Sequence, residues 1–174
     1  NYKKIIETVL LACDSPISIS RIKHVIGDLY INDKHIIEII RKLNDDYKEN
    51  EKGIYIESIS NGYQIRTLPE FHKYIRIANN SYPKYSLSKP ALEVLSIISF
   101  KQPISKSDIE SVRGVDCTGL IKKLLEAKII KIKGRDKKMG KALLYSTTSL
   151  FLEIFGLNNI TDLPKISEIK ELIK

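Results

Sequence analysis

The pattern of apolar and polar positions predicts helices over most of this 174-residue chain and short strands in a few places. Near the start, apolar residues recur every three or four positions and predict a first helix on Ile5, Ile6, Val9 and Leu10. Pro16 should follow its end, because proline lacks the amide that a helix interior needs. A short second helix comes next, with Ser18 as its N-cap and Gly27 just beyond its last turn.

A third helix should begin after Asn32, whose side chain can cap it. Its apolar face is predicted to consist of Ile36, Ile37, Ile40, Leu43 and Tyr47. Residues 54–59 and 63–67 then form two strand-like runs, with Asn61-Gly62 between them. Both of these residues accept the positive φ of a type I′ turn, so they predict a hairpin. Three helices followed by a hairpin form the winged-helix arrangement.

An internal repeat shows that this unit is used twice. The stretch from Pro16 to Gly27 shares the pattern P-I-S-x-S-x-I-x-x-V-x-G with the stretch from Pro103 to Gly114, at an offset of 87 residues. An apolar helical stretch precedes each copy and an apolar-periodic helix follows it. An offset of this length is too long for a solenoid repeat and indicates a duplicated domain.

The second copy repeats the order of elements. The predicted elements are a helix at 88–100 capped by Ser88, a helix capped by Ser105, a helix at 120–125, strands at 129–133 and 142–146 around a wing at 134–140, and a short helix at 149–155. Residues 69–78 should form a helix that closes the first domain.

These elements define the fold class as mainly α with small β-hairpin wings, in two tandem winged-helix domains. The expected boundaries are an N-terminal domain at 1–80, a linker at 81–87, a C-terminal domain at 88–156 and a tail at 157–174. The tail is expected either to form one more helix or to be mobile.

Composition narrows the class of protein. Hydrophobic residues make up 43% of the chain and charged residues 29%, which suits two packed domains with solvated surfaces. No apolar run approaches the ~20 residues that span a bilayer, and the N-terminus lacks a signal-peptide pattern, so we expect a cytoplasmic protein without membrane contact. Cys13 and Cys117 lie in unrelated contexts, which predicts two free thiols in a reducing compartment.

Motifs that carry catalytic chemistry are missing. The chain has no phosphate-cradling glycine loop, no H-E-x-x-H and no nucleophile elbow. His24, His35 and His72 have no cysteine or carboxylate at ligand spacing and are expected at helix surfaces. We therefore predict that the chain is not an enzyme and that it has no catalytic residues, no metal site and no cofactor.

Positive charge is concentrated in the second half of the chain. Residues 1–80 hold 12 Lys and Arg against 11 Asp and Glu, whereas residues 81–174 hold 17 against 10. The third helix of the first domain would show four acids among seven polar residues, which makes it a poor reader of DNA. The second wing supplies the candidate DNA contacts Lys133, Arg135, Lys137, Lys138 and Lys141. The alternative is a solvated loop on a basic domain.

The helix at 88–100 is apolar on nearly all sides, because only Glu93, Ser96 and Ser99 interrupt residues 92–100. Such a helix should be buried on more than one side. Since a small domain covers one side, the other is expected to meet a protein partner, or alternatively the other domain of the same chain.

The segment from Leu92 to Val115 resembles the segregation and condensation protein B family, ScpB. It is similar to the family pattern E-x-L-A-I-I-A-Y-x-Q-P-[IV]-[ST]-[RK]-x-[DE]-I-E-x-I-R-G-V. Further matches are G-Y-Q-I-R-T in the first wing, Gly134-Arg135 in the second, and F-L-E-x-F-G-L followed by D-L-P near the end. The second wing departs from the family at residues 139–142, where proline and arginine are usual.

The resemblance implies a non-enzymatic subunit of the bacterial SMC complex, associated with the nucleoid. It implies a homodimer formed through the N-terminal domain, binding to the kleisin subunit ScpA, and contact with the SMC ATPase only through ScpA. The residues expected at the kleisin are Leu92, Leu95, Phe100, Arg113 and Val115. Those expected at the dimer interface are Ile5, Val9, Ile37 and Ile40. Core packing would account for most of these positions equally well. The alternative function is sequence-independent DNA binding by the second wing.

Overall fold

The computed structural model describes residues 2–28, 30–78, 87–137 and 140–164. The helices are α1 (Tyr2–Ala12), α2 (Ile19–Ile26), α3 (Asp33–Glu49), α4 (His72–Ala78), α5 (Lys89–Lys101), α6 (Lys106–Arg113), α7 (Thr118–Glu126) and α8 (Ser149–Phe155). The strands are β1 (Ile54–Ile59), β2 (Gly62–Thr67), β3 (Ile104–Ser105), β4 (Ile130–Arg135) and β5 (Leu143–Thr147), and short 3₁₀ turns lie at Pro69–Phe71 and Ile160–Asp162. The chain divides into two compact units, Asn1–Tyr82 with Gly156–Lys174, and Pro83–Phe155.

In each unit three helices and then a β-hairpin follow in winged-helix order, with one further helix after the hairpin, so the predicted fold class is confirmed. Most of the predicted linker, residues 81–86, and the last part of the predicted tail, residues 165–174, lie outside the described residues.

Matching caps show the duplication at the level of single hydrogen bonds. Ser18 Oγ accepts from the amide of Arg21 at 3.3 Å, and Ser105 Oγ accepts from the amide of Asp108 at 3.2 Å. At the other ends, Gly27 and Gly114 adopt φ values of 69° and 73°, a region that favours glycine. Local sequence therefore sets both ends of α2 and α6.

A short extended segment pairs with the hairpin in both units, as a single bridge in the first and as strand β3 in the second. In the first unit, Ile17 and Tyr63 exchange two backbone hydrogen bonds of 2.9 Å each. In the second, β3 pairs with β5 through Ile104 opposite Tyr145, and the strand order is β3-β5-β4. The residue after the repeat's proline thus anchors each hairpin to its helices.

The first core is built on one face of α3. Its buried residues are Ile6, Leu10, Ile17, Ile22, Ile31, Ile36, Ile39, Ile40, Leu43, Tyr47 and Ile56. Ile37, predicted on this face, is exposed, and Ile39 takes its place. The reason is geometric: a residue next to Ile36 is turned about 100° away, whereas residues three, four and seven later return to the same side.

The turn of the first hairpin differs from the prediction by one residue. Ile59 pairs with Gly62, so the turn consists of Ser60 and Asn61, with φ values of 50° and 59°. Gly62 belongs to β2 and is needed for another reason. A Cβ there would lie 2.8 Å from the carbonyl oxygen of Ile17, closer than packing allows.

The side chain of Asn44 ties α3 to the hairpin. Its Nδ2 donates to the carbonyl of Ile56 at 2.9 Å, and its Oδ1 accepts from the amide of the same residue at 2.7 Å. In the second unit, Gln102 Oε1 accepts from the amide of Thr147 at 2.8 Å. Side-chain amides therefore satisfy backbone groups of the hairpin in both units, by different routes.

The second hairpin is longer than predicted. β4 runs to Arg135, with a bulge between Ile132 and Gly134, and the amide of Asp136 donates to the carbonyl of Ala142 at 2.8 Å. Gly134 and Arg135, predicted in the loop, therefore belong to the strand. Cross-strand pairing with Leu143 and Leu144 extends the ladder, and a single-strand pattern does not show such pairing.

The segment after α8 contacts the first hairpin. The amide of Ser60 donates to the carbonyl of Leu157 at 3.0 Å, and the amide of Asn61 donates to Asn158 Oδ1 at 2.8 Å. Backbone groups at the tip of the first wing are thus hydrogen-bonded within the first unit.

Tyr47 makes the stability of the first unit sensitive to alkaline pH. Its hydroxyl donates to Glu7 Oε1 at 2.9 Å, and burial, followed by this hydrogen bond, raises its pKa. The raised pKa means that the folded state favours the neutral phenol, so the stabilisation is complete below about pH 10 and is lost as pH rises through the folded pKa. We expect wild type to lose more unfolding free energy than Tyr47→Phe between about pH 8 and about pH 11, measured by urea denaturation. Equal losses would contradict this, and Tyr74→Phe at an exposed site is the control.

Candidate protein-binding surface and basic wing

One face of α5 is exposed and apolar. Ala91, Val94, Leu95, Ile98 and Ser99 form its buried face. Leu92 and Phe100, each 40% exposed, lie eight residues apart on the opposite side. The second unit itself thus buries one side of α5. Leu95, expected at the partner, is only 1% exposed and lies in the core.

The end of α6 adds the exposed Val112, at 51%, and the turn after it adds Val115, at 55%. An ion pair joins this end to α5, because Arg113 Nη2 lies 3.1 Å from Glu93 Oε2. The Arg113 side chain is only 11% exposed, so it fixes the two helices together rather than standing free. We call Leu92, Phe100, Val112 and Val115 the α5–α6 surface.

Val112 was not among the residues expected from the sequence. It occupies the valine position of the repeated motif, and its counterpart Val25 on α2 is also exposed, at 45%. Both isoleucines of the motif are buried in each copy, as Ile17 and Ile22 and as Ile104 and Ile109. The motif thus contains two core isoleucines and one exposed valine, which only the structure distinguishes.

The residues expected at a dimer interface separate into two groups. Ile5 on α1 and Ile37 on α3 are exposed, and Val9 is half-buried against the core. Ile40 lies inside the core and cannot meet a partner directly. The helices that carry Ile5 and Ile37 are joined by an ion pair between Lys3 and Asp46.

A second exposed apolar set in the first unit was missed. Phe71, Tyr74 and Ile77 recur every three residues along the 3₁₀ turn Pro69–Phe71 and α4, and all three are exposed. This spacing was visible in the sequence, but the helix was expected only to close the first domain.

The second wing presents several cations to solvent. Lys133, Arg135, Lys137 and Lys141 are exposed, and Lys138 lies outside the described residues. Arg135 Nη1 donates to the carbonyl of Lys141 at 3.2 Å, which ties the two sides of the wing together. Among the described parts of the chain, these four residues make no ion pair with a carboxylate.

The described residues contain no group of three or more His, Cys, Asp or Glu side chains that could hold a metal ion. Cys13 is exposed and Cys117 is buried; burial, and then the neighbouring Glu110, raises the pKa of the Cys117 thiol. A raised pKa keeps this thiol protonated and a weak nucleophile. Across the same residues, every helix is too short or too polar to cross a membrane.

Comparisons with known proteins match nearly the whole chain. The family model described as "Segregation and condensation complex subunit ScpB" matches residues 4–166. Segregation and condensation protein B of Syntrophotalea carbinolica is 36% identical over 99% of this chain and 85% of its own length. The protein of the same name from Alkaliphilus metalliredigens is 38% identical over 100% and 93%. The crystal structure of ScpB from Mycobacterium tuberculosis aligns with 90% of this chain and 95% of its own, at 25% identity and a TM-score of 0.42.

Proposed function

Since this chain belongs to the ScpB family of segregation and condensation complex subunits, we propose that it is a non-catalytic scaffold that binds the kleisin subunit ScpA as a homodimer. Family membership gives it a role in the segregation and condensation complex. In this proposal, ATP hydrolysis belongs to the SMC ATPase, which this chain meets only through ScpA. The two domains then have separate tasks, self-association for the first and kleisin binding for the second.

The observation that carries the kleisin proposal is the α5–α6 surface. Four large apolar side chains remain exposed there although the second unit already has a complete core. Apolar residues of this kind supply most of the binding energy when a partner removes them from water. The Glu93–Arg113 ion pair joins α5 to α6, which supports a surface that is formed before the partner arrives. An amphipathic segment of the kleisin fits such a surface.

The dimer proposal concerns the first unit. Ile5 and Ile37 are exposed on two helices of the same small core, and the first half of the chain is nearly neutral. A near-neutral surface brings two copies together with little charge repulsion, unlike the basic second half. We therefore place the dimer contact on α1 and α3, with Val9 at its edge.

Light scattering on the protein as it elutes from a size-exclusion column tests both the dimer proposal and the kleisin-binding proposal. Alone, the chain should have twice the 19.9 kDa mass of one copy, and Ile5→Asp with Ile37→Asp should reduce it to a single copy. With a fragment of the central region of ScpA at micromolar concentration and near-physiological salt, the mass should rise by the mass of bound fragment. A pair of substitutions on the other apolar set, Tyr74→Asp with Ile77→Asp, should leave the dimer intact.

The dimer proposal and the kleisin-binding proposal can be rejected independently. If wild type is monomeric but still binds the fragment, the dimer proposal is wrong and the kleisin-binding proposal stands. A chain that shows no complex with the fragment at micromolar concentration would remove kleisin binding. Loss of the dimer in the Tyr74 and Ile77 variant alone would move the interface to α4.

A further inference from the structure

The two wings share one architecture but differ in charge. Residues 54–67, the first wing, contain one Arg and one Glu, for a net charge of zero. Residues 130–147, the second wing, contain six Lys and Arg and one Asp, for a net charge of +5. Because the first wing folds without this positive charge, the fold does not require the charge. We therefore expect the positive charge of the second wing to serve the binding of a partner.

The first wing is closed to an anionic partner. Its Arg66 Nε lies 3.3 Å from Glu57 Oε2 on the neighbouring strand, so its one cation is neutralised locally. The amides of Ser60 and Asn61 at its turn donate to Leu157 and Asn158. The cation of this wing and the two backbone amides at its tip therefore already have partners.

The second wing is open and ordered. Beyond Ile130, every residue of β4 is exposed, whereas Tyr145 and Ser146 on its partner strand are buried. The ladder nevertheless continues to Asp136, which pairs with Ala142. Lys133 and Arg135 are thus carried on a fixed ribbon, and Lys137 and Lys141 lie directly beyond its last pair. Residues two apart on a strand lie about 6.6 Å apart, a distance over which cations can reach successive phosphates of one strand.

Further cations lie on the helix that precedes the wing. Lys122, Lys123 and Lys128 are exposed on or just after α7, and Lys122 alone lies near a carboxylate, 3.9 Å from Glu126. Residues 118–147 therefore hold nine Lys and Arg against two acids. In a winged helix this helix and the wing are the two elements that usually approach DNA.

We infer that the second wing, with α7, binds the sugar–phosphate backbone of duplex DNA without reading its sequence. Lysines dominate the patch, and lysine acts as a point charge toward phosphate rather than as a bidentate reader of bases. The described part of the wing offers no exposed aromatic ring, since Tyr145 is buried, so it lacks a platform for stacking single-stranded bases. The space around Gly134 on the exposed strand is open, because a Cβ there would meet nothing within 4 Å. The inference concerns a surface separate from the kleisin contact and does not depend on it.

Fluorescence anisotropy with a labelled duplex of about 25 base pairs and mixed sequence tests the inference. Wild type should bind with a dissociation constant of about 1–100 μM, weakening between about 50 and about 200 mM salt with a log–log slope of about −4, as expected for four or five phosphate contacts. Lys133→Glu with Lys137→Glu should weaken binding at least tenfold. Lys52→Glu with Lys73→Glu, an equal charge change at exposed sites of the first unit, should change it less than threefold.

Two further arms separate the inference from its rivals. Single-stranded DNA of the same length should bind more weakly than the duplex, and the kleisin fragment should bind the wing variant as it binds wild type. Equal losses in both charge variants would show a general charge effect and overturn the inference. Tighter binding to single-stranded DNA than to the duplex would also overturn the inference. A wing variant that no longer binds the kleisin fragment but still binds DNA would overturn it as well. Absence of the kleisin complex in wild type would overturn only the proposed scaffold function. Thermal unfolding of each variant shows that the fold is retained.

Discussion

Replacing Leu92 and Val112 together with Asp is expected to weaken kleisin binding more than 100-fold, about 2.8 kcal/mol. Both side chains are exposed, so the second unit should remain folded without a partner. In the complex, each carboxylate would be buried against apolar groups without a counter-charge, which costs more than the lost apolar contact alone. Calorimetric titration with the ScpA fragment measures the change.

The repeat supplies a matched control for this variant. Val25 occupies on α2 the place that Val112 occupies on α6, one residue before the helix ends, with similar exposure. Val25→Asp thus introduces the same charge at the same point of the same helix in the other unit. It should leave kleisin affinity unchanged, whereas Val112→Asp alone should lower it at least tenfold. If Val25→Asp and Val112→Asp changed kleisin affinity equally, the kleisin contact would not lie at the end of α6.

Gly62→Ala should lower the unfolding free energy of the first unit by about 3 kcal/mol. The new Cβ would stand 2.8 Å from the carbonyl oxygen of Ile17 and 2.9 Å from its carbonyl carbon, both backbone atoms that cannot turn away. Relieving the clash means separating Ile17 from Tyr63, which costs two backbone hydrogen bonds at about 1 kcal/mol each, and disturbs packing for about 1 kcal/mol or more. Urea denaturation followed by circular dichroism measures the loss.

Gly119→Ala is the control for this substitution. A Cβ at Gly119, near the start of α7, meets nothing within 4 Å, and alanine is the better helix former. It should leave stability unchanged or raise it by up to about 1 kcal/mol. A Gly62→Ala protein as stable as wild type would show that the Ile17–Tyr63 bridge does not hold the hairpin.

Most of the fold follows from local sequence signals. The caps at Ser18, Asn32, Ser88 and Ser105 form as predicted, because a side-chain oxygen and an amide three residues later are all that a cap requires. The turn of the first hairpin lies one residue earlier than predicted, for a non-local reason. Glycine is required at position 62 because the backbone of Ile17, 45 positions away, comes close to it, and Ser60 and Asn61 form the turn.

The candidate site was predicted less well than the fold. Leu95 and Ile40 were expected at interfaces and lie in cores, because a helix that is apolar on several sides does not show which side its own domain covers. Leu92, Phe100 and Val115 are exposed as a binding surface requires. Whether they touch a kleisin remains the prediction tested above. Val112 was overlooked because the motif that contains it looks like a uniform core pattern.

Hydrogen–deuterium exchange of the chain, alone and saturated with the ScpA fragment, tests the central claim that the second unit binds the kleisin through the α5–α6 surface. Exchange should slow in peptides covering α5 and the end of α6, including Leu92, Phe100 and Val112, while α2 with Val25 should be unchanged. Protection confined to the first unit or to the second wing, with α5 and α6 exchanging as in the free protein, would contradict it.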